Sequence, residues 1–166
     1  QDAFLFEENV HFNISLGNED ISDEAVADAA KYVFAHDFIM ELPAQYEFEL
    51  TNSGGNLSAG QTQLISFARA IAQGGQVMML DEATSSVDSI TEDLIQRAMG
   101  RLFEDKTVIA IAHRLSTISH SDQILVLVGG KVIERGRHQE LLALKGAYAN
   151  LLLDSNNITN DTPSAL

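Results

Sequence analysis

The stretch from Asn56 to Asp88, NLSAGQTQLISFARAIAQGGQVMMLDEATSSVD, holds the residues with the most chemistry in them. Leu57-Ser58-Ala59-Gly60-Gln61 sets a hydroxyl and two small residues where an apolar helix begins. Backbone N–H groups without intrahelical partners, and the positive end of the helix dipole, therefore face outward there. Such an end binds anions, phosphate in particular. Gln76 to Leu80 has the length and composition of a buried strand. Asp81-Glu82 follow where it ends, which is the edge at which open α/β sheets bind their ligands. One carboxylate can hold Mg²⁺ there while its neighbour handles a water. Taken singly, a helix N-cap and a solvated acidic strand end explain these residues without any chemistry. In this order and spacing they compose the parts of a phosphate and metal site.

The elements that must hold these residues follow from pattern. A helix from about Gln61 to Gln73 has Leu64, Ile65, Phe67, Ala68, Ile71 and Ala72 around much of its circumference, so burial is expected. Ahead of it, Gln1 to Ile14 shows no clean period. Ser22 caps a helix with Asp23 and Glu24 in its first turn and Val26, Ala29, Ala30, Val33 and Phe34 on one face. Asp37 can cap a second, short helix that reaches Met40 and is stopped by Pro43. Glu47 to Gly55 reads as a loop. After Asp88, Ser89 and Glu92 have capping-box spacing before a helix with Leu94, Ile95, Ala98, Met99 and Leu102 on its buried face. Thr107 to Ala112 is a second short apolar strand, and His113 lies at its end. Gln123–Val128 and Lys131–Glu134 flank Gly129-Gly130 as a hairpin, and one final helix is expected from His138 to about Leu153. Strands alternating with helices make the class α/β.

Composition narrows the function classes. The 166 residues are one domain's worth of chain, and 45% apolar content supports a packed core. A formal net charge of -14 opposes nonspecific nucleic-acid binding, which works by neutralising phosphates with Lys and Arg. Half of the 24 acids fall in the first fifty residues, where Lys31 is the only Lys or Arg, so a solvated acidic face is expected there. With no cysteine, disulfide and thiol chemistry are excluded. The longest apolar runs, such as Ile124 to Val128, are too short to cross a bilayer.

LSAGQ resembles the signature motif of ATP-binding-cassette (ABC) ATPases, VMMLDE their Walker B strand with its catalytic glutamate, SSVD their D-loop, and AIAHRLST their switch region. The wording is most similar to the nucleotide-binding domains of ABC exporters. The resemblance implies an α/β, P-loop NTPase (RecA-like) ABC ATPase core, incomplete, with an inserted helical signature subdomain. Residues 1–154 would be the partial ATPase domain, about 15–73 its helical signature subdomain, and 155–166 a disordered tail. It further implies ATP and Mg²⁺ as cofactors. Asp81 would hold Mg²⁺, Glu82 would act on the attacking water, and His113 would contact the γ-phosphate. Gln1, as the Q-loop glutamine, would approach the metal. Ser58, Ala59, Gly60 and Gln61 would serve a nucleotide held by a second ABC ATPase domain in a head-to-tail pair, and Asp88 would contribute to that interface. The other partner implied is a transmembrane domain, which would hold the assembly at the cytoplasmic face of the cell membrane; no nucleic acid is implied. The departures are Thr62, where many relatives have a basic residue, and Thr51-Asn52 following Glu49, where exporters often carry a Gly-Glu pair.

The phosphate loop G-x-x-x-x-G-K-[ST] does not occur, and the only Gly-Lys, Gly130-Lys131, belongs to the hairpin. In ABC domains this Walker A loop precedes the Q-loop, and the sequence begins at Gln1, so a truncated front is expected. Since one preorganised donor is worth ~10²–10³ in rate, the chain alone is expected to be inactive. The function expected of the parent is ATP binding and hydrolysis coupled to export. The alternative is a non-catalytic interaction or regulatory module that pairs with a competent ABC domain.

Overall fold

The computed structural model describes residues 4–81, 89–111 and 119–158. Two compact units divide the chain, 1–111 and 112–166.

The first unit is built around one helix. It opens with α1 (Val10–Ser15), which is too short to register as a period and is started by Asn9, whose Oδ1 accepts from the Phe12 N–H at 2.7 Å. Next comes α2 (Asp23–Tyr32), with the expected Ser22 cap accepting from the Ala25 N–H at 3.2 Å. In α3 (His36–Glu41) the cap is Ala35, without a side-chain bond, so Asp37 lies inside the first turn rather than capping it. Two short 3₁₀ turns, Gln45–Glu47 and Asn52–Gly54, occupy the region read as a loop. The long helix α4 (Ala59–Ala72) follows, then strand β1 (Val77–Asp81), helix α5 (Ser89–Asp105) and strand β2 (Thr107–Ile111). The Ser89 side chain and the start of the expected capping box lie outside the described residues.

Helix α4 is buried because both of its broad apolar faces find partners. Leu64, Ile65 and Ala68 are at most 1% exposed, and α4 touches α1, α2 and α5. Leu and Ile side chains contribute roughly 1.5–3 kcal/mol each when fully buried. Asn9 and Glu49 form an isolated antiparallel bridge that ties the start of α1 to the strand-like residues before α4.

Strands β1 and β2 run parallel, Val77 opposite Thr107 through Asp81 opposite Ile111, with α5 as the crossover. The buried-strand expectation holds for one face only. Met78 is buried, whereas Met79 is 80% exposed and its cross-strand partner Ile109 56%. Among the described residues this sheet has two strands, and the face carrying Val77, Met79, Ile109 and Ile111 has no cover.

The second unit is a hairpin with two helices. Strands β3 (Ile124–Val128) and β4 (Lys131–Gly136) pair antiparallel through Gly129 and Gly130, whose φ values of 57° and 75° suit a two-residue turn that matches strand twist. The single final helix expected from sequence is two: α6 (His138–Leu144) and α7 (Ala147–Ile158). The break lies at Lys145, held left-handed at φ 50°, and Gly146. Glu134 of β4 makes the break possible by accepting from the Ala147 and Tyr148 N–H groups at 2.6 and 3.0 Å, capping α7 from outside its own chain segment. Ile124, Val126, Leu141 and Tyr148 form the core of this unit.

Candidate functional site

The N-terminus of α4 is organised by a reciprocal capping box. Ser58 is extended at the cap, its Oγ accepts from the Gln61 N–H at 3.2 Å, and the Ser58 N–H donates to Gln61 Oε1 at 2.9 Å. The first intrahelical bond runs from the Thr62 N–H to the Ser58 carbonyl. That leaves the N–H groups of Ala59 and Gly60 with no acceptor among the described residues. Ser58 and Ala59 are exposed, so a ligand can reach the Ala59 N–H. Gly60 itself is buried. An N–H with no acceptor among the described residues, exposed at the positive end of a fourteen-residue helix, is suited to an anion.

Asp81 ends β1, exposed and with no cation paired to it among the described residues. No group of three or more metal-ligating side chains occurs among the described residues. Magnesium does not require one, since it binds through one or two carboxylates together with phosphate oxygens and waters, so this carboxylate fits the role. A cleft of about 920 Å³ runs between α4 and β1 and includes Ala59, Thr62, Gln63 and Ser66 on one side and Met78 to Asp81 on the other. Its wall is largely apolar, with Phe4, Phe6, Phe67 and Met99, and Arg69 is its sole cation among the described residues.

Of the residues singled out from sequence, Ser58, Ala59, Gly60 and Gln61 thus form the start of α4, and Asp81 the end of β1. Gln1, Glu82, Asp88 and His113 lie outside the described residues. Two residues escaped sequence reading. Asn13 is fully buried and Arg69 half-buried, and they bond to one another across 56 positions of chain. The signal available was a lone Asn inside the apolar run of Phe12 and Ile14, and a lone Arg inside the apolar part of α4.

The profile of the ABC transporter family matches residues 2–85. The chain belongs to the ABC transporter family. Its fold is that of the ATP-binding domain of this family, a P-loop NTPase core with a helical insertion, here incomplete. Among curated relatives, it is 49% identical over 151 residues to an uncharacterized ABC transporter ATP-binding protein, YfiC, of Bacillus subtilis, covering 91% of this chain and 25% of that protein. It is 46% identical to a Staphylococcus aureus protein named "Putative multidrug export ATP-binding/permease protein", covering 91% of this chain and 26% of the other. A bacterial Atm1-family ABC exporter solved with ATP bound superposes with a TM-score of 0.82 at 37% identity, covering all of this chain and 28% of the exporter chain. The ABC chain therefore spans about a quarter of the length of the curated relatives it matches.

Proposed function

We propose that this ABC chain supplies the signature and Walker B parts of an ATP-hydrolysing unit that drives export through a membrane domain. The observation that carries the reading is the α4 tip, where the N–H of exposed Ala59 has no acceptor among the described residues, in the same unit that ends a parallel strand on Asp81. Similarity to exporters in which ATP-binding and permease parts share one chain supports the transport role and a place at the cytoplasmic face of the membrane. Among the described residues no helix is long and apolar enough to cross a membrane, so the permease part would be contributed by other sequence.

In this reading the tip residues Ser58, Ala59, Gly60 and Gln61 donate to the γ-phosphate of ATP held by a second ATPase domain. Asp81 holds Mg²⁺, which when bound draws charge from the phosphate oxygens. Glu82 takes the proton from the attacking water, His113 contacts the γ-phosphate, Gln1 approaches the metal, and Asp88 lies in the contact between the two domains. The phosphate-cradling loop is supplied from outside these residues, and without it the chain turns over no ATP.

The test compares nucleotide binding and ATPase activity of the chain alone and mixed with an ABC ATPase domain that has its own Walker A loop and a Glu-to-Gln block. No activity alone, and binding or turnover that appears on mixing, is the expected result. Turnover by the chain alone would overturn the division of labour. Binding without turnover in every mixture, including one with an unblocked domain, would favour a regulatory pairing module instead.

A further inference from the structure

The α4 tip can act only if α4 points in a defined direction, and the far end of the helix is where that direction is set. Arg69 projects from α4 onto the segment before and within α1. Its Nε donates to the Asn13 carbonyl at 2.7 Å, one Nη to the Phe4 carbonyl at 3.0 Å, and the other to Asn13 Oδ1 at 3.0 Å. The guanidinium also lies 5.7 Å from the centre of the Phe6 ring. One turn later, Gln73 donates to the Ser15 carbonyl at 2.9 Å.

The receiving side is equally constrained. Asn13 is 0% exposed; its Oδ1 accepts from the Phe6 N–H at 2.8 Å, and its Nδ2 donates to the Asn9 carbonyl at 3.0 Å and the Phe6 carbonyl at 3.1 Å. No carboxylate pairs with Arg69 among the described residues. The cation is instead spread over oxygens of a bent segment, and burial lowers its pKa. A lone apolar side chain would pack here at less cost in desolvation, so packing alone does not account for a three-point fork.

We propose that Arg69 is a positioning residue that sets the tilt of α4 and thereby the place of its anion-binding tip. The proposal rests on the function proposed above for that tip. Ten residues of helix separate Arg69 from Ala59, about 15 Å, so a tilt of about 4° displaces the tip by about 1 Å. Misplacement of that size, produced far from the chemistry, can cost about a hundredfold in rate. Tilt acts on the assembled site rather than on nucleotide capture by the partner's loop, so the loss belongs in kcat.

The experiment measures kcat and KM for ATP, together with Tm, in the full-length exporter carrying Arg69→Gln, Arg69→Lys, Leu64→Ala or Ala59→Glu. Leu64 is buried on α4 and makes none of these bonds, so its variant reports loss of stability alone. Arg69→Gln is expected to lower kcat about ten- to a hundredfold with KM unchanged. Arg69→Lys, which anchors at one point, should fall between that variant and the parent, and Leu64→Ala should retain kcat despite a comparable fall in Tm. Full kcat in Arg69→Gln, or an equal loss in Leu64→Ala, overturns the proposal. Where Arg69→Gln does not fold, the Arg69→Lys and Leu64→Ala pair decides by the same comparison. Ala59→Glu places a negative charge on the exposed tip, where it suits the helix but repels phosphate. If it abolishes turnover while Arg69→Gln does not, only the Arg69 proposal falls; if it leaves turnover intact, the reading of the tip falls with it.

Discussion

At the scale of residues, the first unit shows how burial converts ordinary polar side chains into fixed parts. Tyr46 follows α3 and its hydroxyl lies 2.8 Å from His36 Nδ1, pinning that 3₁₀ turn to the helix. Burial first, and the nearby Asp28 charge second, push its phenol up from 10.0 to about 12. Below pH 10 the folded and unfolded chains both keep the proton, and this group adds no pH dependence to stability. Between pH 10 and about 12 the unfolded chain releases it while the folded chain holds it, so stability falls as pH rises. The expected outcome is a urea midpoint that declines across that window, and a Tyr46→Phe variant in which most of the decline is gone. The remainder is assigned to Tyr148, whose phenol burial also raises. An unchanged slope in Tyr46→Phe would remove Tyr46 from the account.

At the scale of elements, the clearest lesson is where helices stop. Apolar spacing runs unbroken from Leu141 to Leu152, yet the chain turns at Lys145 and Gly146 because Glu134 offers a carboxylate to the next helix start. A Cβ on Gly146 would overlap Glu134 Oε1, so the carboxylate and a methyl cannot share the site. Gly146→Ala is therefore expected to displace Glu134 and lose the cap, at roughly 0.5–2 kcal/mol in denaturant unfolding, the usual range for a lost N-cap. Glu134→Ala should cost a similar amount, and the two together little more than either alone, because both remove the same bonds. Additive losses would show that Gly146 matters for another reason. The α4 box, by contrast, is half legible in the sequence: Ser58 marks the helix start, but Gln61 reads as part of the turn and not as its reciprocal partner.

At the scale of the whole molecule, the open face of the β1–β2 sheet dominates behaviour in solution. Val77, Met79, Ile109 and Ile111 are each more than half exposed and lie side by side on it. Uncovered apolar sheet faces promote association. Isolated at rising concentration, the chain is expected to elute from size exclusion as progressively larger species, and Met79→Lys with Ile109→Glu should return it toward a single 18.1 kDa species. A monomer at all concentrations would show that this face is covered in solution.

What the amino-acid sequence determined by itself was local and ordered along the chain: the family through LSAGQ and VMMLDE, the Ser22 and Ser58 helix starts, the β1 and β2 segments, and the Gly129-Gly130 hairpin. These depend on neighbours within a few residues, through capping, periodicity and turn conformation, so a linear reading reaches them. Tertiary structure alone decided which contacts join distant parts. Arg69 meets Asn13 and Phe4 only after α4 packs on α1, and Glu134 caps α7 only after the hairpin folds back. The exposure of Met79 is decided in the same way, by how many strands and helices come to lie against β1. A single sequence lists the donors and acceptors, but the low dielectric and close approach that give them partners exist only once the core has formed.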